Sequence, residues 1–348
     1  MNEYIDFRSD TVTKPTPEMR KAMAEAKVGD DVFRDDPTVN KLEAYTSQLL
    51  GKESAMFVPS GTFGNIVSIL THTLRGDEII AEKNSHIFRS EVASAAVFGG
   101  VQCHTVDGIN GVMSPEAVKS ACRNPSDIHQ PPTRLICLEN AHSLGTVLPM
   151  ENMRDMRRVA DEYGLLIHID GARLFNASTT LQVEAKEIAG YSDSIQICLS
   201  KGLCAPVGSL VLGTKEFIEK ARKYRKMLGG GMRQAGILAA AGLISLEKMT
   251  GRLNVDHINA RYLADRLQEF DGINVFKDRL EINMVFFTAD KSLIPDPADF
   301  ELRMASHGFR IRAPQPGACF RFMTHNDISK EDIDRLIETM RKVLVLKV

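Results

Sequence analysis

Leu199-Ser200-Lys201-Gly202-Leu203-Cys204-Ala205-Pro206-Val207-Gly208 sets a lysine directly behind an apolar run, with two glycines and a proline after it. The run Ser194–Leu199 reads as a strand, so the Lys201 amine falls at the carboxyl end of a sheet. Open α/β sheets place their ligands at that edge. A partly desolvated lysine there suits a Schiff base with an aldehyde cofactor; taken singly, a lysine on a solvated loop is the ordinary alternative.

Working outward, strand patterns recur at Ser54–Val58, Glu78–Ala81, Val101–Val106, Leu135–Leu138, Leu165–Ile169 and Ser209–Leu212. Helical patterns separate most of them: Phe63–Leu74, Phe88–Phe98, Pro115–Ala121 and Met150–Tyr163. Asp36-Pro37 is a helix start, an N-cap acid followed by proline at the tolerated first position. This alternation predicts an α/β fold with a mainly parallel sheet covered by helices on both faces. Helices at Gln234–Met249 and Val255–Phe270 lead into strands Ile273–Phe276, Asn283–Phe287 and Cys319–Met323, with helices Pro297–Ser306 and Lys330–Val343. We therefore expect a large domain over residues 1–250 and a smaller C-terminal α+β domain over 251–348.

Composition narrows the function. The 348 residues are 43% hydrophobic and 25% charged, as in ordinary globular proteins. Forty-three Lys+Arg against forty-five Asp+Glu give no electrostatic ground for nucleic acid or an acidic membrane surface. The six cysteines include no C-x-x-C pair, so neither disulfides nor a metal site is expected. The first residues carry charge where a signal peptide needs an apolar stretch, and Ala235–Leu246 is too short for a membrane helix. A soluble, cytoplasmic protein is expected. Walker, Rossmann, nucleophile-elbow and H-E-x-x-H motifs are absent.

Three further segments carry chemistry. In Leu166-Ile167-His168-Ile169-Asp170-Gly171-Ala172-Arg173 a carboxylate ends a buried strand. Burying it costs several kcal/mol unless it meets a cation. A pyridinium nitrogen is such a cation, and pyridoxal phosphate enzymes need an acid at that nitrogen; an Asp170–Arg173 ion pair is the plainer alternative. In Phe57-Val58-Pro59-Ser60-Gly61-Thr62-Phe63 a strand gives way to a helix N-terminus, an anion site. The dipole supplies only about 0.3–1 kcal/mol, so a phosphate also needs cations, for which Lys226 and Arg233 are candidates. His86 follows the third strand, where an imidazole can stack on a flat ring or act as a base near neutral pH. His168, mid-strand, reads as structural.

Together these segments resemble the threonine aldolase family, in the β-eliminating-lyase-like branch of the aspartate aminotransferase fold. The matching motifs are Phe7-Arg8-Ser9-Asp10-Thr11-Val12-Thr13, Gly29-Asp30-Asp31-Val32, Asp36-Pro37-Thr38-Val39, Ser60-Gly61-Thr62, His86-Ile87, Glu139-Asn140-Ala141-His142, His168 to Arg173, Ser200-Lys201-Gly202-Leu203, Gly229 to Gly236 and Arg321-Phe322-Met323-Thr324-His325. They span nearly the whole chain, in the family's order. The resemblance implies an aspartate-aminotransferase-like fold and pyridoxal 5'-phosphate as cofactor. It also implies cleavage of L-threonine or L-allo-threonine to glycine and acetaldehyde.

Carried over by position, Lys201 forms the aldehyde adduct, Asp170 meets the ring nitrogen and His86 stacks on the ring. Ser60, Gly61 and Thr62 bind phosphate, helped by Lys226 and Arg233 of a neighbouring subunit in a homotetramer with shared active sites. Ser9, Arg173 and Arg321 grip the substrate carboxylate, with Arg310 and Arg312 as competitors for the last place. His86 or His129 takes the β-hydroxyl proton. Phe33-Arg34 stand where the family commonly has Tyr-Gly, and Ala141 where Thr is frequent. The alternatives are another pyridoxal-phosphate lyase or aminotransferase reaction on the same scaffold, and a non-catalytic binding protein.

Overall fold

A computed structural model describes residues 4–345. Its first strands are β1 (Ile5–Asp6), β2 (Ser54–Val58), β3 (Glu78–Glu82), β4 (Gln102–Val106), β5 (Thr133–Glu139) and β6 (Leu166–Gly171). The rest are β7 (Ser194–Cys198), β8 (Ser209–Gly213), β9 (Ile273–Val275), β10 (Met284–Ala289), β11 (Phe309–Arg310) and β12 (Phe320–Met323). The central sheet has seven strands in the order β2-β8-β7-β6-β5-β3-β4. β7, β6, β5, β3 and β4 are parallel, as the alternating pattern predicts. β8 runs antiparallel to both β7 and β2, so β2 again points with the majority. The loops after β2, β3, β5, β6 and β7 therefore all emerge at one edge, the edge that carries Ser60, His86, Glu139, Asp170 and Lys201.

Local chemistry explains most element boundaries. The Asp36 Oδ1 accepts from the N–H groups of Thr38 and Val39, both at 3.0 Å, and opens the helix Pro37–Leu50. Gly51, left-handed at φ 63°, closes it. Strand β7 is buried along its whole length, as is β3, consistent with helices on both faces.

A separate core unites Phe7 with Ala260, Leu263, Phe287, Phe300, Phe322, Ile333 and Leu336. It rests on the three-stranded sheet β12-β10-β9 and the helix Lys330–Val345. β1 pairs with β11 in parallel, tying the N-terminal segment to this layer. Two-residue strands leave no periodicity to read, and that pairing is absent from the sequence expectation.

The expected helix Phe88–Phe98 does not form. A four-residue helix, His86–Arg89, ends early, and a wide helical turn, Ala95–Gly99, follows. Between them Val92 and Ala93 stand at φ 53° and 55°, a left-handed pair that no α-helix can contain. The apolar spacing is helical, but the backbone turns so that Glu91 can point inward while Val92 stays 94% exposed.

That strain is testable. A left-handed β-branched residue costs about 1–2 kcal/mol, and glycine gives back about 0.5–1 kcal/mol through unfolded-chain entropy. Val92→Gly is expected to stabilise the protein by up to about 1 kcal/mol in urea unfolding. A loss of similar size would contradict the strained-turn reading.

Candidate active site

The site is built from the ends of five strands. Asp170, at the end of β6, is 1% exposed. Its Oδ1 accepts from Gln196 Nε2 at 2.5 Å and Ala172 N–H at 3.0 Å, and its Oδ2 from Asn65 Nδ2 at 2.8 Å. Burial opposes its charge, yet the nearby Lys201 and His86 and these donors hold the carboxyl below its ordinary range. No cation forms an ion pair with Asp170 among the described residues. The expected alternative, an Asp170–Arg173 pair, is absent: Arg173 donates instead to Asp10, Nε to Oδ2 at 2.8 Å and Nη2 to Oδ1 at 2.6 Å.

Asp10 is fully buried, and despite that burial the Arg173 guanidinium brings its carboxyl down to about 2. Asn283 of the C-terminal layer leans on the same carboxylate. Arg321, from β12, faces this group: burial and the neighbouring Arg173 lower its pKa, while among the described residues its Nη2 reaches only the carbonyl of Arg8, at 3.3 Å. A desolvated guanidinium with free donors is the best-equipped carboxylate anchor here. Arg310 stacks on Tyr4, 4.2 Å from the ring centre, and Arg312 is exposed. Ser9 caps the short turn Asp10–Val12 beside them.

Lys201 lies just past β7, half-buried, with its carbonyl accepting from Thr13 Oγ1 at 2.8 Å. Its Nζ has no hydrogen-bond or ion-pair partner among the described residues. At the helix Gly61–His72, Ser60 Oγ accepts from Phe63 N–H at 3.2 Å, leaving the N–H groups of Gly61 and Thr62 for an external anion. A Cβ on Gly61 would lie 2.7 Å from Cys198 Sγ, so glycine lets this turn close onto β7. His86 has its N–H on Glu139 Oε2 at 2.7 Å and its Nδ1 2.9 Å from Glu91 Oε1, with the side chain 34% exposed.

Not every expected residue joins them. His129 is exposed in the loop before β5, tied to the amino edge of the sheet through Arg123, which binds Glu78 and Thr133. Parallel strands put that edge opposite Lys201, so His129 does not enter the site of its own chain. Lys226 and Arg233 are exposed, and Arg233 is held by Asp30 at 2.9 Å. Neither bonds to Ser60, Gly61 or Thr62 among the described residues. Phe33 is 72% exposed, and Arg34 takes φ 62°, a left-handed position that favours glycine.

Four polar residues around Asp170 and Arg173 escaped the sequence reading: Asp10, Asn65, Glu91 and Gln196. Asn65 offered one available signal, an amide inside the apolar helix Gly61–His72, where it is fully buried. His86, Glu91 and Asp170 bring ligand-capable atoms within 4.8 Å of one another around its amide.

The described residues fit pyridoxal phosphate: a buried acid with no direct ion-pair partner, an unpaired lysine, a half-open imidazole and a helix N-terminus with free N–H groups share one edge. The model of the family described as beta-eliminating lyase matches residues 6–290. The chain belongs to that family. It is similar to a probable low-specificity L-threonine aldolase 2 of Arabidopsis thaliana, 43% identical over 97% of both chains. A low specificity L-threonine aldolase of Escherichia coli (strain K12) is 42% identical, over 98% of this chain and 99% of its own. Among solved structures, a Leishmania major threonine aldolase superposes with a TM-score of 0.83 at 19% identity, over 97% of this chain and 99% of that one. A Sphingomonas wittichii serine palmitoyltransferase gives a TM-score of 0.77 at 17% identity, over 98% and 87%. The fold of this beta-eliminating lyase family member is thus the aspartate-aminotransferase-like one expected.

The Asp10–Arg173 pair should be costly to break. Asp10→Asn leaves a buried guanidinium half-paired, an expected loss of about 3–5 kcal/mol at pH 7 in urea unfolding. Because the folded carboxyl titrates near 2 and an ordinary one near 3.8, its contribution is complete above pH 3.8 and lost as pH falls through 2. The gap between variant and wild type should narrow over that window. A loss below about 1 kcal/mol would show that Arg173 does not depend on Asp10.

Proposed function

We propose that this chain is a pyridoxal-phosphate-dependent aldolase that cleaves L-threonine, L-allo-threonine and related β-hydroxy-α-amino acids to glycine and an aldehyde. The carrying observation is the buried Asp170 carboxylate without an ion-pair partner, on the same sheet edge as the unpaired Lys201 amine. The high identity to low-specificity L-threonine aldolases over full length supports the choice of reaction.

When bound, the cofactor would supply an electron-accepting ring for the electron pair of the breaking Cα–Cβ bond. Lys201 supplies the amine that carries the cofactor aldehyde. Asp170 would keep a proton on the ring nitrogen, and the N–H groups of Gly61 and Thr62, with the Ser60 turn, would hold the phosphate. Arg321, with Ser9 and the edge of Arg173, grips the substrate carboxylate. Fixing that carboxylate selects which Cα bond stands perpendicular to the ring, and cleavage needs that bond to be Cα–Cβ. His86 takes the β-hydroxyl proton.

Lys226, Arg233 and His129 suit a different placement. In a homotetramer of shared active sites they would serve a neighbouring subunit, the two cations on its phosphate and the histidine near its substrate. Threonine breakdown that feeds glycine synthesis in the cytoplasm is the matching role.

Purified, cofactor-loaded protein is expected to release glycine and acetaldehyde from L-threonine without stoichiometric pyruvate or ammonia. Lys201→Ala should lose the visible cofactor absorbance and the borohydride-fixed cofactor on the peptide containing residue 201. Pyruvate and ammonia as main products, or a fixed adduct persisting in Lys201→Ala, would overturn this reading.

A further inference from the structure

Glu91 has no part in the chemistry described so far, yet it is 2% exposed and sits against two of its groups. Its Oε1 lies 2.9 Å from His86 Nδ1 and accepts from Asn65 Nδ2 at 2.8 Å. The other hydrogen of the same amide goes to Asp170. Glu91 Oε2 is buried without a partner among the described residues.

With Asp170 and Glu91 ionised, the hydrogens in this network fall into one arrangement. With both N–H groups of Asn65 spent on carboxylates, its Oδ1 must accept, and its neighbour there is His168 Nε2 at 3.1 Å. His168 Nδ1 then accepts from Ser194 Oγ at 2.8 Å, and Ser194 Oγ accepts from His72 Nε2 at 2.7 Å. Both imidazoles must be neutral for this, and burial holds His168 to about 4 and His72 to about 3. Every hydrogen therefore points toward Asp170 and Glu91. Burial and Asp170 push the Glu91 carboxyl upward while His86 and Asn65 pull it back; with Glu91 ionised its Oε1 accepts, and His86 Nδ1 carries the proton.

We infer that Glu91 is a positioning residue for the aldolase reaction, fixing His86 as the Nδ1–H tautomer so that Nε2 is free to take the β-hydroxyl proton. The inference rests on the function proposed above and deepens it. An acid behind an imidazole plays this part in hydrolytic triads, orienting the ring and stabilising the imidazolium as it forms. Asn65 links the two halves, since one amide steadies both the acid behind the base and the acid reserved for the ring nitrogen.

The charges facing His86 set the sign of its titration. Glu91 beside it and Asp170 from β6 raise its pKa, Lys201 past β7 and partial burial lower it, and the net direction is upward. Glu139 of β5 meets only its backbone N–H. Glu91→Gln keeps an oxygen for Nδ1–H but removes the charge.

The experiment is the pH profile of kcat for L-threonine cleavage by cofactor-loaded protein. Glu91→Gln should lower the acid limb by about one pH unit and reduce kcat about tenfold, with KM within about twofold. Glu91→Ala, which also frees the ring, should lose more, and Glu91→Asp should recover part of kcat. An acid limb and kcat unchanged in Glu91→Gln would overturn the inference while leaving the aldolase reading intact. A wild-type protein that releases no glycine would instead remove that reading. Should the variants fail to load cofactor, 15N-histidine NMR of the wild type decides: protonated Nδ1 and bare Nε2 on His86 above its pKa is expected, and the reverse tautomer contradicts it.

Discussion

A carboxylate sealed at the mouth of a sheet, with amides around it but no cation paired to it, is the constraint on which this structure turns. Holding an anion out of water costs several kcal/mol unless a compensating charge arrives. Two amides and a backbone N–H steady Asp170 without neutralising it. Arg173, which could have neutralised it, is committed to Asp10. Asp170 thus stays ionised with no direct ion-pair partner among the described residues, steadied by these donors and by the nearby Lys201 and His86.

Topology delivers the rest. Because β2, β3, β5, β6 and β7 all point one way, five separate loops converge with no long insertion. The antiparallel β8 matters here, since it returns the chain between β7 and β2, while the Ser60-Gly61-Thr62 turn closes onto Cys198 at the end of β7. The C-terminal layer reaches the same edge through Arg321 and Asn283, and the N-terminal segment joins both layers through Phe7, Asp10 and Thr13. In the proposed reaction, substrate anchoring and cofactor holding would fall to different parts of the chain, linked through the buried Asp10–Arg173 pair.

Much of this was legible in the sequence, for physical reasons. Strands buried on both faces have apolar centres, so Leu135–Leu138 in β5 and Ile79–Ala81 in β3 declared themselves. A capped start such as Asp36-Pro37 marks its helix unambiguously. Asp170 and Lys201 stood out because each is a charged residue ending an apolar run. Periodicity misled at Phe88–Phe98, where apolar spacing is helical but left-handed Val92 and Ala93 carry no glycine to announce the turn. Asn65, Glu91 and Gln196 stayed hidden because their roles come from contacts across the sheet, to residues up to 105 positions away. His86 could be placed after β3 from the chain itself, whereas His129 entered only through the resemblance, and the direction of β5 sets it at the opposite edge.

The most direct test of the central claim is the turnover of cofactor-loaded Asp170→Asn on L-threonine, with circular dichroism as a check that the fold is kept. Asparagine preserves shape but turns one of the two acceptor oxygens into a donor and removes the charge that would hold a proton on the ring nitrogen. A loss on the order of a hundredfold or more in kcat is the result this account requires. A correctly folded variant that cleaves threonine at close to the wild-type rate would contradict it.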